Sequence, residues 1–321
     1  MAPLKRREFG QLAAASLTST ILADLSSKAI AQNSGRSQEV LYGVNLLQAS
    51  VAQNREDQTP PVELNVAELA TGTVLSKTNL PAQSVDNRSP VQKKSRAFFV
   101  SESDRITKAI VQGDGTFAIS TVSSTRNGYF NHLLVSVGRA NNSQFRAKKV
   151  RGFEKSDRTI ESVLSLANDR LLCLVGTEGT PPFSFAILDA RTGQILSGDA
   201  LALPTLPLNH RFANLCQDAK GNIFATETGP EGIPILISMN LQERAIVTGQ
   251  VKINRLNPLN FEGRALVNDV KDLAFSSSGQ LYALATDNSG RNNALFAVDA
   301  NTGRMGLLRN FAAEKFAFSL Q

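Results

Sequence analysis

Hydrophobic and polar positions trade places in short runs through most of the chain. The clearest stretch, residues 269–311, reads VKDLAF, a Ser-Ser-Ser-Gly turn, LYALA, a polar loop, ALFAV, an Asp-Ala-Asn-Thr-Gly turn and RMGLLRNF. Apolar runs of this length, alternating and bounded by Gly-containing turns, predict strands rather than helices. The same order recurs upstream in residues 160–203, 211–257 and, less tightly, 105–153. Units of this length with four strands each predict the blades of an all-β propeller, because each sheet buries its faces only against its neighbours.

The ends complete the count. VLYGVNLLQ, VELNVAELATG and TVLSKTNL, within residues 40–80, predict the second, third and fourth strands of a blade that lacks its first. Residues 315–320, KFAFSL, predict a lone first strand with no blade behind it. Pairing the two gives a fifth blade and leaves no unpaired seam in the ring. The expectation is a single five-bladed domain over residues 32–321, with one long connection at 81–104 that contains Lys93, Lys94 and Arg96.

Asp189-Ala190-Arg191-Thr192-Gly193 and Asp299-Ala300-Asn301-Thr302-Gly303 recur at the third turn, with Ala67 to Gly72 as a looser copy. Turn chemistry explains them: Asp and Thr oxygens cap local backbone and Gly supplies positive φ. Arg146, Lys148, Lys149 and Arg151 fall on an outermost strand, where cations discourage edge pairing.

The first 31 residues carry a basic start, a weakly apolar stretch from Leu12 to Leu25, and the triplet Ala29-Ile30-Ala31. This is the layout of an export signal cleaved between Ala31 and Gln32, with too short an apolar stretch to span a bilayer. Arg6-Arg7 followed by Phe9 resembles the twin-arginine signal, although Lys5 and Gly10 depart from its usual residues. That resemblance implies export after folding, to the periplasm or to a thylakoid lumen; a general secretory signal and an uncleaved tail are the alternatives.

The formal charge is +6, and loss of the signal's four cations and two anions leaves +4. Spread over the remaining chain, that surplus is no nucleic-acid footprint. Cys173 and Cys216 fall within strands of neighbouring repeats and read as small buried hydrophobes, with a disulfide as the alternative. There are 17 Phe and 3 Tyr but no Trp, which excludes tryptophan-dipeptide blades and tryptophan-docked quinoprotein blades and weakens glycan binding. Phosphate-binding, dinucleotide, zinc-protease and serine-hydrolase signatures are missing from the sequence.

In such a ring one face carries the connections between second and third strands, among them a loop expected over residues 176–182, and those between blades. It would gather Arg55, Glu56, Asp57, Arg126, Glu178, Glu227, Glu231, Asp287 and Arg291, with His132 and His210 nearby. Loops on a rigid scaffold make this face the expected place for a partner. Carboxylates converging there could hold calcium, and a His could serve as a base.

Two blade openings resemble those of NHL-repeat and gluconolactonase-like propellers: Phe212-Ala213-Asn214-Leu215 with Asp218 to Phe224, and Asn268 to Phe275 with Gly279 to Tyr282. In the lactonases an Asn at this place helps hold a central cation, so the resemblance implies Asn214 and Asn268 as ligands, with Glu178, Glu227 and Asp287 as further candidates. Two functions follow. The first is an exported, non-catalytic binding scaffold that presents the loop-rich face to a protein or small ligand. The second is a calcium-dependent hydrolase of lactones or esters.

Overall fold

The computed structural model describes residues 39–46, 62–80, 105–124, 129–137, 145–153, 156–244, 250–267, 270–286 and 292–320. All of the described secondary structure is strand or turn, arranged as five sheets. Blade 1 contains β1 (Glu39–Leu46), β2 (Val62–Glu68) and β3 (Val74–Leu80). Blade 2 is β4 (Arg105–Val111), β5 (Phe117–Ser124), β6 (Phe130–Val137) and β7 (Phe145–Lys149). Blade 3 is β8 (Arg158–Ser165), β9 (Arg170–Thr177), β10 (Thr180–Asp189) and β11 (Ile195–Ala202). Blade 4 is β12 (Arg211–Gln217), β13 (Ile223–Thr228), β14 (Pro234–Arg244) and β15 (Val251–Pro258).

A two-residue hairpin, β16 (Asn260–Phe261) and β17 (Arg264–Ala265), precedes blade 5. That blade is β18 (Val270–Phe275), β19 (Leu281–Thr286), β20 (Asn293–Val298) and β21 (Arg304–Asn310). The hairpin extends its sheet by pairing β16 in parallel with β21, an addition the repeat pattern does not announce. The last strand, β22 (Lys315–Leu320), returns to blade 1 and pairs antiparallel with β1, from Glu39 opposite Leu320 to Val44 opposite Lys315. The predicted five-bladed propeller, closed by the C-terminal strand, is therefore the fold, with β22, β4, β8, β12 and β18 as inner strands.

Apolar side chains on the two sides of each blade face the neighbouring blades, and the core divides accordingly into five clusters, one per seam. The cluster between blades 3 and 4 holds 18 buried residues, among them Phe185, Phe212 and Ile237. Clusters of similar kind fill the seams between blades 1 and 2, 2 and 3, and 4 and 5. The closing seam, between blades 5 and 1, holds five: Leu41, Leu284, Leu295, Ala313 and Phe316. Edge-to-face contact of Phe316 with Phe318 and a tilted Tyr282–Phe318 pair extend it.

The recurring third turns are capped as expected. Asp189 Oδ1 accepts the Arg191 and Thr192 amides at 2.8 Å, Asp299 takes the Asn301 amide and the Thr302 hydroxyl, and Gly193 and Gly303 adopt φ of 75° and 70°. They also stitch blades together. Lys148 Nζ of blade 2 donates to Ala190 O, Asn257 of blade 4 to Asn301 O, and Arg309 of blade 5 to Leu69 O. A Cβ on Gly303 would stand 2.4 Å from Pro258 O, and one on Gly193 2.8 Å from Lys149 O, so Gly at the turn also permits this approach.

Candidate functional site

Inner strands start at the face with the interblade connections, the loop face, and end at the face with the first-to-second turns, the turn face. Four of the five carry a β-bulge against the second strand at one level, between Ile106 and Lys108, Ile160 and Ser162, Ala213 and Cys216, and Val270 and Asp272. A bulge re-aims the residues beside it. The result is a ring of polar side chains at one depth.

Lys108 and Asp272 form an ion pair with side chains only 3% and 0% exposed. The Lys108 ammonium donates to Asp272 Oδ1 and, at 2.6 Å, to Leu273 O. Asp272 also accepts the amides of Leu273 at 2.9 Å and Phe316 at 3.1 Å, so one carboxylate ties blades 2, 5 and 1. Hydrogen bonds to the charged form are what make such a burial tolerable.

Lys315, half-buried, donates to Lys271 O and lies 3.4 Å from Asn214 Oδ1. Withdrawal from water pulls its pKa down to about 8, against the opposing pull of Asp272 and with help from Lys108, Arg105 and Lys271. Asn214 sits at φ 59° and donates from Nδ2 to Val270 O at 2.9 Å and Thr226 Oγ1 at 3.1 Å. Ser162 Oγ accepts the Leu215 amide at 2.9 Å. Each of the five inner strands thus contributes one polar side chain to a plug across the channel.

Of the residues expected to bind a cation, Asn214 is in this plug, facing an ammonium. Asn268 and Asp287 lie outside the described residues. Glu178 is exposed at the tip of a hairpin whose central residues, Glu178 and Gly179, have φ of 52° and 77°. Residues 176–182, expected as a loop, are therefore two strands joined by a two-residue turn; positive φ at both positions suits the strands' twist. Glu227 is buried, with Arg255 donating to it at 2.8 and 3.1 Å and His210 Nδ1 at 3.2 Å. Among the described residues, no three His, Cys, Asp or Glu side chains group as a metal site.

His132 is buried in the seam between blades 2 and 3, where its Nε2 accepts the Ile160 amide at 3.3 Å. Desolvation pulls its pKa down to about 4. It is a neutral acceptor that joins two blades. Cys173 and Cys216 are free and buried, and desolvation pushes the Cys216 thiol up to about 12. The signal residues Arg6, Arg7, Phe9, Ala31 and Gln32, with Arg55, Glu56, Asp57, Arg126, Arg291 and connection 81–104, lie outside the described residues.

On the loop face, guanidinium groups sit over buried carboxylates. Arg105 bridges Glu161 at 2.9 and 3.0 Å while its own side chain is 51% exposed, and Arg255 over Glu227 is 53% exposed. Below the plug the channel widens into a cavity of about 400 Å³ that opens at the turn face. Lys108 closes its inner end, Leu164, Leu215, Phe275 and Phe318 form walls, and Gln112 and Ser277 stand at the rim.

The repeat pattern alone does not single out Lys108, Asp272, Lys315 or Glu161. One signal was present: ITKAIV, VKDLAF and KFAFSL each place a charge within an apolar run destined for an inner strand. A buried strand tolerates such a charge when a partner meets it.

No protein-family model matches the chain, nor does any curated protein. Solved structures similar to it include a Bacteroides caccae protein of unknown function, at 10% identity and a TM-score of 0.46, covering 88% of this chain and 98% of that one. A Trypanosoma rangeli sialidase in complex with sialic acid matches at 12% identity and a TM-score of 0.44, covering 86% of this chain and 42% of the sialidase. The soluble aldose sugar dehydrogenase of Escherichia coli matches at 10% identity and a TM-score of 0.40, covering 87% and 100%. No described helix is long and apolar enough to cross a membrane.

Proposed function

We propose that the chain is an exported, non-catalytic binding scaffold that presents its loop-rich face to a protein or small ligand. The observation that carries this reading is the plug. Where the lactonase resemblance would place a cation beside Asn214, the chain supplies the ammonium groups of Lys315 and Lys108 around the single carboxylate of Asp272. A divalent ion there would meet two positive charges in a poorly solvated space, which disfavours calcium. Among the described residues near the mouth, Glu161 and Glu227 hold guanidiniums and His132 holds a backbone amide.

The same pairs suit recognition. Arg105 and Arg255 are positioned by buried carboxylates yet half exposed, and pre-organised Arg is favoured at interfaces. The test of the non-catalytic reading is turnover of γ-lactones and aryl esters by the purified chain with added calcium. No rate above background is expected; saturable turnover lost in Asn214→Ala would overturn the reading and establish the hydrolase. Export rests on Arg6 and Arg7, and Lys replacement of both is expected to leave the precursor in the cytoplasm.

A further inference from the structure

The cavity at the turn face lies opposite the loops and has its own chemistry. Its inner end is Lys108, 3% exposed, whose ammonium carries three hydrogens and donates two of them, to Asp272 Oδ1 and Leu273 O. Lys315 and Lys271 stand close by, with Asp272 the described carboxylate that acts on Lys315. The inner end therefore holds a buried ammonium with one hydrogen that no described acceptor takes. The walls are apolar: Leu164, Leu215, Phe275 and Phe318, spaced by alanines. Two carboxylates also stand among the lining residues: Glu39, which accepts the Ser277 amide, and Asp218, which accepts the amides of Lys220 and Asn222.

A volume of about 400 Å³ falls within the range of small-molecule pockets, roughly 300–1,000 Å³. We infer that this cavity is a binding site for a small apolar carboxylate, which enters from the turn face with its carboxylate toward Lys108 and its hydrocarbon against Phe275 and Phe318. A cation would meet the Lys108 ammonium at the inner end, and a neutral apolar molecule would leave its third hydrogen without an acceptor. The site is independent of the loop-face reading, and either can fail alone.

The test uses 2-naphthoate, 4-phenylbutyrate and hexanoate as probes, with 2-naphthylmethanol as the neutral counterpart of the first, titrated calorimetrically into the chain. At least one carboxylate is expected to bind with one-to-one stoichiometry, and 2-naphthylmethanol to bind about tenfold more weakly than 2-naphthoate, the order of one charge-assisted hydrogen bond. Gly113→Trp blocks the mouth with little cost to the fold, because a Cβ at Gly113 meets nothing within 4 Å. It is expected to abolish binding while the melting temperature stays within a few degrees. Lys108→Met removes the donor, and Gly113→Trp keeps the test valid should that variant fail to fold. Three results would each overturn the assignment: none of the carboxylates binding at millimolar concentration, unchanged affinity in Gly113→Trp, or equal affinity for 2-naphthylmethanol.

Discussion

The seam between blades 3 and 4 and the seam between blades 5 and 1 hold the same ring by different means. The first joins neighbours along the chain through a broad apolar cluster around Phe185, Phe212 and Ile237. Among the described residues the first adds the neutral bond of Ser162 Oγ to the Leu215 amide, whereas the second joins the two ends through five buried apolar residues and adds charged partners: Asp272 accepting the Phe316 amide, Lys315 donating to Lys271 O, and Arg309 donating to Leu69 O. Apolar burial is non-directional and tolerates small shifts, whereas charge-assisted bonds fix register. Where a strand arrives from a distant part of the sequence, its placement is specified by polar contacts. The contacts of Asp272 and Lys315 also belong to the plug, so closure of the ring and the charge state of its channel are one structural feature.

The largest expected effect comes from removing the incoming strand. Deleting residues 314–321 leaves the edge of β1 bare and Asp272 without its Phe316 partner. Cooperative unfolding of the whole ring should be lost in calorimetry; an unchanged melting temperature would show that the seam does not matter. Next in size, Asp272→Asn leaves the Lys108 ammonium buried without its counter-charge and should cost about 3–5 kcal/mol in chemical denaturation. Combining it with Lys108→Met should recover part of that loss, since replacing both members of a buried pair is cheaper than replacing one.

Titration separates two seams by pH window. His132 between blades 2 and 3 is held near 4, below its ordinary 6.5, so the unfolded chain takes up a proton that the folded chain refuses. Stability should therefore fall as pH drops from about 6.5 to about 4, by roughly 3 kcal/mol, and His132→Gln should remove that slope. Lys315 is held near 8, below its ordinary 10.5. Its cost is full below pH 8 and fades as pH rises to 10.5, where both states are neutral. Wild type should thus gain stability across this window relative to Lys315→Met, a difference that cancels the titration of tyrosines and cysteines. The smallest effect is that of Arg309→Ala, about 1 kcal/mol for one partly exposed stitch.

The fold was legible because its signals are local and repeated: alternation gives strands, Asp-x-x-Thr-Gly gives turns, and an orphan strand at one end matches an incomplete blade at the other. Closure by residues 315–320 followed from the same bookkeeping of strands. The channel was not legible in that way. Lys108, Asp272 and Lys315 lie far apart in sequence and meet only because five bulged or arriving strands converge on one axis. The resemblance to lactonase blades names Asn214 as a cation ligand, and in the structure its neighbour is an ammonium. Thr-Glu-Gly-Thr followed by two prolines reads as a loop, whereas Glu178 and Gly179 both adopt positive φ and close a tight hairpin.

The claim that the chain's own ammonium groups occupy the centre of the channel is tested most directly by elemental analysis of the protein purified without chelator and dialysed against calcium. Less than a tenth of an equivalent, on the order of background, of any divalent cation per chain is expected, because Lys108 and Lys315 repel it. One equivalent of calcium, lost on Asn214→Ala, would contradict the account and return the channel to the hydrolase reading.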